Sequence, residues 1–125
     1  MINDFTDLDV WKLGHKLVIS IYLMLKDFPK FEQYGLSDQM RRAAVSITSN
    51  IAEGFGRQGA KEKIQFYYMA EGSLTELKNQ MFVARDVGYI DTQTFNQIQD
   101  QIGNVYRLLR GFIKSTRNIF EHAKP

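Results

Sequence analysis

Cysteine is absent from this 125-residue chain, and proline and histidine each occur twice. Without thiols there is no disulfide framework, no thiolate zinc site and no cysteine nucleophile, a composition that suits a reducing cytoplasm. The two histidines, His15 and His122, have no glutamate three residues before them. That excludes the di-iron carboxylate bundles, which need Glu-x-x-His on each of two helices. A long apolar run is also missing. The longest, residues 17–25, is broken by Ser20 and bounded by Lys16 and Lys26, far short of the roughly 20 residues a membrane span requires. The acidic start, with Asp4 and Asp7 preceding the first lysine at position 12, is opposite to a secretory leader. The expectation is therefore a cytoplasmic chain with no membrane partner, no cofactor and no small-molecule substrate. A net charge of +2 and a pI near 8.9 are too mild to indicate nucleic acid by themselves.

What is present is periodicity. Apolar residues make up 44% of the chain and aromatics 13%, as in globular proteins, and the length suffices for a single core without staples. Sparse proline and glycine divide one domain, residues 1–125, into helices at about 7–28, 37–55, 60–87 and 92–117, with a patternless tail at 118–125 expected to fray. The first carries a heptad seam of Trp11, His15, Val18, Tyr22 and Leu25 beside a second stripe of Val10, Leu13, Leu17, Ile21, Met24 and Phe28. The second opens at Ser37 as N-cap and places Met40, Ala44, Ile47 and Ile51 on one seam, with small residues such as Ala43, Ser46 and Thr48 around it. Small side chains admit a neighbouring backbone, so this helix is expected to be central. The third has Tyr67, Ala70, Leu74, Leu77, Met81 and Ala84 in register and stops at Gly88 in a left-handed C-cap. The fourth, capped by Asp91 or Thr92, reads Phe95, Ile98, Ile102, Val105, Leu109 and Phe112. Four long helices with short connections predict an all-α, antiparallel up-down-up-down four-helix bundle. Surplus apolar residues on the first and third helices, notably the run Phe66, Tyr67, Tyr68 and Met69, exceed what one core absorbs and point to self-association.

Catalytic readings find little support. His15 lies on a seam and reads as a hydrogen-bonded core histidine. Glu53, Glu71 and Glu76 are candidates for acid–base work, but Glu53 has Arg57 one turn later as an ion-pair partner. Gly54, Gly56 and Gly59 match G-x-G-x-x-G, but a helix rather than a strand precedes them, so a dinucleotide fingerprint is excluded. The glycines read as backbone freedom for a turn.

Positive charge is more suggestive. Arg107, Arg110, Lys114 and Arg117 recur at spacings of three, four and three, with no carboxylate between Asp100 and Glu121. They share about 80° of arc at the helical period. Such a ridge can track a phosphate backbone, or it can complement the dipole at a helix C-terminus and solvate an outer face. Arg57, in the glycine turn, can join either role. Arg41 and Arg42, early in the second helix, point to tertiary or intersubunit carboxylate pairing rather than a nucleic-acid contact.

The stretch Gly35-Leu36-Ser37-Asp38-Gln39-Met40-Arg41-Arg42-Ala43-Ala44-Val45-Ser46-Ile47, continued by Ser49-Asn50-Ile51-Ala52-Glu53-Gly54 and Gly56-Arg57, resembles the 23S rRNA-intervening-sequence proteins. Leu8-Asp9-Val10-Trp11 and Gly72-Ser73-Leu74-Thr75-Glu76-Leu77 agree with it. The resemblance implies a four-helix bundle assembled as a ring-like homopentamer. Similar proteins are encoded in insertions within bacterial ribosomal RNA genes, and a related retroelement accessory protein is a pentamer that binds nucleic acid. The ribosomal label reflects gene location, not activity. Arg41, Arg42, Ser46, Asn50, Glu53 and Gly54 are expected to form a structural or intersubunit motif. The candidate nucleic-acid contacts are Arg107, Arg110, Lys114, Arg117 and Arg57. The leading expectation is a non-enzymatic homo-oligomer that binds nucleic acid, RNA before DNA. The alternative is a protein-interaction or assembly scaffold.

Overall fold

Four helices account for most of the computed structural model, which describes residues 1–122: α1 (Asp9–Leu25), α2 (Leu36–Phe55), α3 (Ala60–Asp86) and α4 (Thr92–His122). Short 3-10 turns at Phe5–Asp7 and Lys30–Glu32 precede α1 and α2, and there is no strand among the described residues. Among the described residues no helix is long and apolar enough to cross a membrane. Each helix touches two others: α2 packs on α1 and α3, and α4 packs on α3 and α1. The diagonal pairs do not meet, so the helices stand at the corners of a square. The α2–α3 and α3–α4 pairs run antiparallel. Ser46 and Gly54 of α2 face Ser73 and Tyr67 of α3, and Glu71 and Phe82 of α3 face Arg110 and Phe95 of α4.

The expected seams of α2 and α3 are the core, with Met40, Ala44, Ile47, Ile51, Ala70, Leu77, Met81 and Ala84 fully buried. In α1 the second stripe prevails. Val10, Leu17 and Ile21 are buried together with Gly14, Val18 and Leu25, whereas Trp11 is half-buried and His15 and Tyr22 are exposed. His15 is therefore not a core histidine. Its ring stacks on Trp11 at 4.7 Å, and Trp11 in turn meets Phe5 of the first 3-10 turn edge-on at 5.4 Å. In α4 the seam drifts near its end: Ile113 is buried and Phe112 sits at the edge against Tyr67, with ring centroids 4.8 Å apart.

The helix ends differ from expectation in instructive ways. α1 starts at Asp9 rather than 7, because Asp7 accepts the backbone N–H groups of Asn3 and Asp4 at 2.9 and 3.1 Å and holds a separate turn. It ends at Leu25 rather than 28, its last bonds tightening to Asp27 N–H on Met24 and Phe28 N–H on Leu25. Pro29 disfavours helical backbone at the residue before it. Ser37 is not the N-cap of α2: it lies buried in the first turn. The cap comes from the preceding 3-10 turn, where Glu32 Oε1 accepts Leu36 N–H at 3.0 Å and Oε2 accepts the Tyr89 hydroxyl at 2.8 Å. A Cβ on Gly35 would lie 2.6 Å from that same Oε1. These bonds hold the Glu32 carboxyl below its usual range, the Leu36 N–H first and the Tyr89 hydroxyl second. α3 ends as expected. Gly88, at φ +86°, follows its C-cap, with Tyr89 N–H on the Ala84 carbonyl and Gly88 N–H on Arg85, the paired bonds of a Schellman motif. Asp91 caps α4 by accepting Thr94 N–H at 2.8 Å. That helix does not fray at 118 but continues to His122, where Ile119 and Phe120 border a groove with Phe55 and Tyr67. The remainder of the tail lies outside the described residues.

The glycine cluster does not serve backbone freedom. Gly56 and Gly59 have ordinary negative φ, and Gly54 is a buried helical residue. A Cβ on Gly54 would stand 2.6 Å from Tyr67 Cε1 and 2.9 Å from Phe66 Cβ. Gly54 is thus a requirement of volume, set by the approach of α3.

Two consequences can be measured. Gly54→Ala is expected to destabilise the bundle in urea by about 1–3 kcal/mol through overpacking. Gly72→Ala, with nothing within 4 Å of the added carbon, should instead stabilise it by roughly 0.5–1 kcal/mol. Because the folded-state Glu32 carboxyl is lowered from 4.5, its contribution is complete above that pH and is lost as pH falls through the lower folded value. Glu32→Gln should flatten that acid limb in stability measured from pH 6 down to pH ~3.

Candidate nucleic-acid interface

The four cations of α4 project from one exposed face, spread over about 15 Å of helix at 1.5 Å per residue. Their partners differ. Arg107 bonds the Asn104 side-chain oxygen one turn earlier. Arg110 is held from two sides: Nη2 meets Glu71 Oε1 of α3 at 2.9 Å, and Nε donates to the Tyr106 hydroxyl at 3.2 Å. These contacts push its guanidinium further above its ordinary value, the Tyr106 bond first and Glu71 second. Arg117 Nη2 donates to the Tyr68 hydroxyl of α3 at 2.8 Å. Lys114 makes no ion pair among the described residues. No carboxylate of α4 lies between Asp100 and Glu121, as expected, but α3 supplies one. Glu71 is largely covered, and its Oε2 is buried without a hydrogen-bond partner.

Arg57 does not join this ridge. Its guanidinium lies 3.8 Å from Glu53 and 4.6 Å from the centre of the Phe66 ring, so the expected Glu53–Arg57 pair forms and the arginine covers an aromatic face. Arg41 and Arg42 find a carboxylate within their own helix. Both turn to Asp38 in their own first turn, at 3.8 and 2.9 Å. Arg41 also donates to the Gln33 carbonyl at 3.0 Å, tying the preceding loop to the helix. Asp38 near the N-terminus of α2 is favoured by the dipole, and its charge offsets the two cations that follow.

The remaining motif residues meet at the α2–α3 seam. Ser46 Oγ accepts from Asn50 Nδ2 at 3.0 Å and from the Ser73 hydroxyl at 2.8 Å, and Asn50 Nδ2 also reaches the Ser46 carbonyl at 2.8 Å. Lys63 of α3 donates to the Phe55 carbonyl at 2.6 Å, satisfying the end of α2. Burial pulls its ammonium below the usual lysine range. Among the described residues no three acidic or histidine side chains gather as a metal site requires.

Sequence reasoning missed Glu71, Tyr68 and Tyr106 as neighbours of the ridge. The i,i+4 spacing of Tyr106 and Arg110 was a usable signal. The other two approach from residues 39 and 49 positions away in the chain, and only the register of α3 against α4 reveals them. A groove between those helices was also missed. Its floor is Leu74 and Ile102, and Phe82, Phe95, Tyr106 and Arg107 stand around it.

Residues 6–111 match the family described as 23S rRNA-intervening sequence protein. A crystal structure of a protein of unknown function from the S23 ribosomal protein family of Bacteroides thetaiotaomicron VPI-5482 is similar, with a TM-score of 0.75 at 21% identity. The alignment covers 84% of this chain and 98% of that one, and at such identity it speaks to the fold alone. No curated protein matches the chain.

The serine pair is expected to act as a structural tie. Ser46→Ala and Ser73→Ala should each cost about 1 kcal/mol in chemical denaturation. The double variant should cost less than the sum, because both remove one shared bond.

Proposed function

The chain belongs to the 23S rRNA-intervening sequence protein family, and from that premise we propose that it is a non-enzymatic homo-oligomer that binds nucleic acid, RNA before DNA. The observation that carries this reading is the α4 ridge. Four cations line one exposed face, and only Arg110 meets a carboxylate among the described residues. Each phosphate neutralised by such a cation releases condensed counterions. Arginine and lysine on a rigid helix keep the charges at fixed spacing, so little order has to be gained on binding.

Self-association is supported by apolar side chains that the monomer leaves outside its core. Ile19 and Leu23 of α1, Met69 and Val83 of α3, and Val87 at the C-cap of α3 are all about half exposed. Surfaces of this kind commonly meet another protein. Fivefold symmetry is what the family resemblance implies, and repetition of the ridge around a ring would multiply weak contacts. The absence of catalytic activity is inferred from the residue inventory: no cysteine, and two histidines that are both exposed.

A second reading, a protein-interaction or assembly scaffold, draws on the same apolar side chains and on the Glu71–Arg110 pair, which spends part of the ridge on internal structure. Salt separates the two. If the ridge binds phosphates, log K against log salt falls by about 0.7–0.9 per contact. Replacing Arg107, Arg110, Lys114 and Arg117 together with Gln should weaken RNA binding and flatten that slope, with the helical circular dichroism unchanged. Glu71→Gln should move affinity the other way by releasing Arg110. A salt-independent affinity, or one untouched by the fourfold change, would establish the scaffold reading instead. Light scattering at micromolar concentration checks assembly, with a monomer as the contrary result.

A further inference from the structure

The groove between α3 and α4 adjoins the ridge and is built differently from it. It encloses about 560 Å³, within the range of small-ligand sites. Its floor, Leu74 and Ile102, is buried, while Phe82 and Tyr106 stand 40% and 39% exposed on its walls. Phe82 meets Phe95 edge-on at 5.1 Å, and the Arg85 guanidinium lies 5.1 and 4.5 Å from the two ring centres. Lys78 and Arg107 also line the groove, and no carboxylate does. An apolar slot with aromatic walls, edged by Lys78 and Arg107 beside the neutral Thr75 and Gln99, suits a flat ring flanked by negatively charged groups.

We propose that the nucleic acid taken up by this protein is single-stranded, and that one unstacked base enters the α3–α4 groove beside Tyr106 while its flanking phosphates meet Lys78 and Arg107. The inference rests on the nucleic-acid reading and narrows it. Tyr106 and Arg107 belong to groove and ridge at once: the Tyr106 hydroxyl accepts from Arg110, and Lys114 and Arg117 continue along the same face. A strand following the ridge therefore arrives at the groove mouth. A duplex keeps its bases paired and stacked, whereas a single strand can turn one onto an aromatic side chain. A second copy of this chain fits less well. Ile19 and Leu23, two of the half-exposed apolar residues of α1, share their helical face with Lys12 and Lys16, so docking that face in the groove would bring cations against cations.

Gly103 gives a way to close the groove without altering charge. It lines the groove from mid-helix, and a Cβ there would find only Arg107 Nη1 at 3.5 Å. A larger side chain would occupy the slot, and replacing a mid-helix glycine does not disfavour the helix.

The test uses the full chain and fluorescein-labelled 12-nucleotide oligoadenylate and oligouridylate, against a 12-base-pair RNA duplex, read by fluorescence anisotropy across a salt series. The single strands should bind more tightly than the duplex. Tyr106→Ala and Gly103→Leu should each reduce single-strand affinity by roughly 5- to 100-fold, the effect of removing one stacked base. The salt slope should hold, because no phosphate contact is removed. Tyr106→Phe, which keeps the ring, should retain most of the affinity. Equal or tighter duplex binding, or full affinity in both Tyr106→Ala and Gly103→Leu, would overturn this inference and leave the broader reading standing. Failure of the unaltered protein to bind any of the probes would remove both. A changed mass in light scattering for either variant would assign the groove to contact between copies, which also overturns the proposal.

Discussion

The approach of α2 to α3 is the constraint on which the rest of the structure depends. At Gly54 the ring of Tyr67 occupies the space a side chain would need, and Tyr67 is itself almost wholly buried. Burial pushes its phenol up to about 12, so the hydroxyl stays protonated through the neutral range. Further along, Ser46 meets Ser73 where two small residues leave room for a hydrogen bond between helices. Lys63 closes the end of α2 by binding its last carbonyls. Together these contacts set how far and in what register α3 lies along α2.

That register propagates to α4. Phe112 seats on the other side of Tyr67, and from there the antiparallel pairing places Arg117 beside Tyr68, Arg110 beside Glu71, and Phe95 beside Phe82. The outer face of α4 is thereby graded. Arg110 is pinned between a carboxylate and a phenol, Arg117 rests on a phenol, and Lys114 stays unpaired among the described residues. Solvent-exposed pairs of this kind contribute little to stability, typically under about 1 kcal/mol. Their larger effect is to fix where positive charge stands relative to exposed aromatic rings.

Much of this was legible in the sequence. The seam of α2 follows from helical spacing because its apolar stripe is narrow, and that of α3 from the register of Tyr67, Ala70, Leu74, Leu77, Met81 and Ala84. α1 was harder, since its apolar residues cover more than half the circumference and spacing alone does not say which part faces inward. Only the neighbours choose, and they take Leu17 and Ile21 over Trp11 and His15. Gly54 was visible as unusual but misread, because a glycine kept for volume and one kept for φ look alike in one dimension. Ser37 was misread for a similar reason: the cap of α2 is a side chain from a turn that the periodicity does not register.

By itself, the sequence determined the number of helices, the Gly88 stop, the Glu53–Arg57 pair and the alignment of four cations on α4. All of these depend on spacing within a helix, where 3.6 residues per turn converts position into direction. Tertiary structure alone decided that Glu71 neutralises part of the ridge, that Tyr68 flanks it, and that a groove opens beside it. Those depend on how one helix slides along another. Sliding is set by side-chain volume at a few contacts, and helical periodicity carries no record of it.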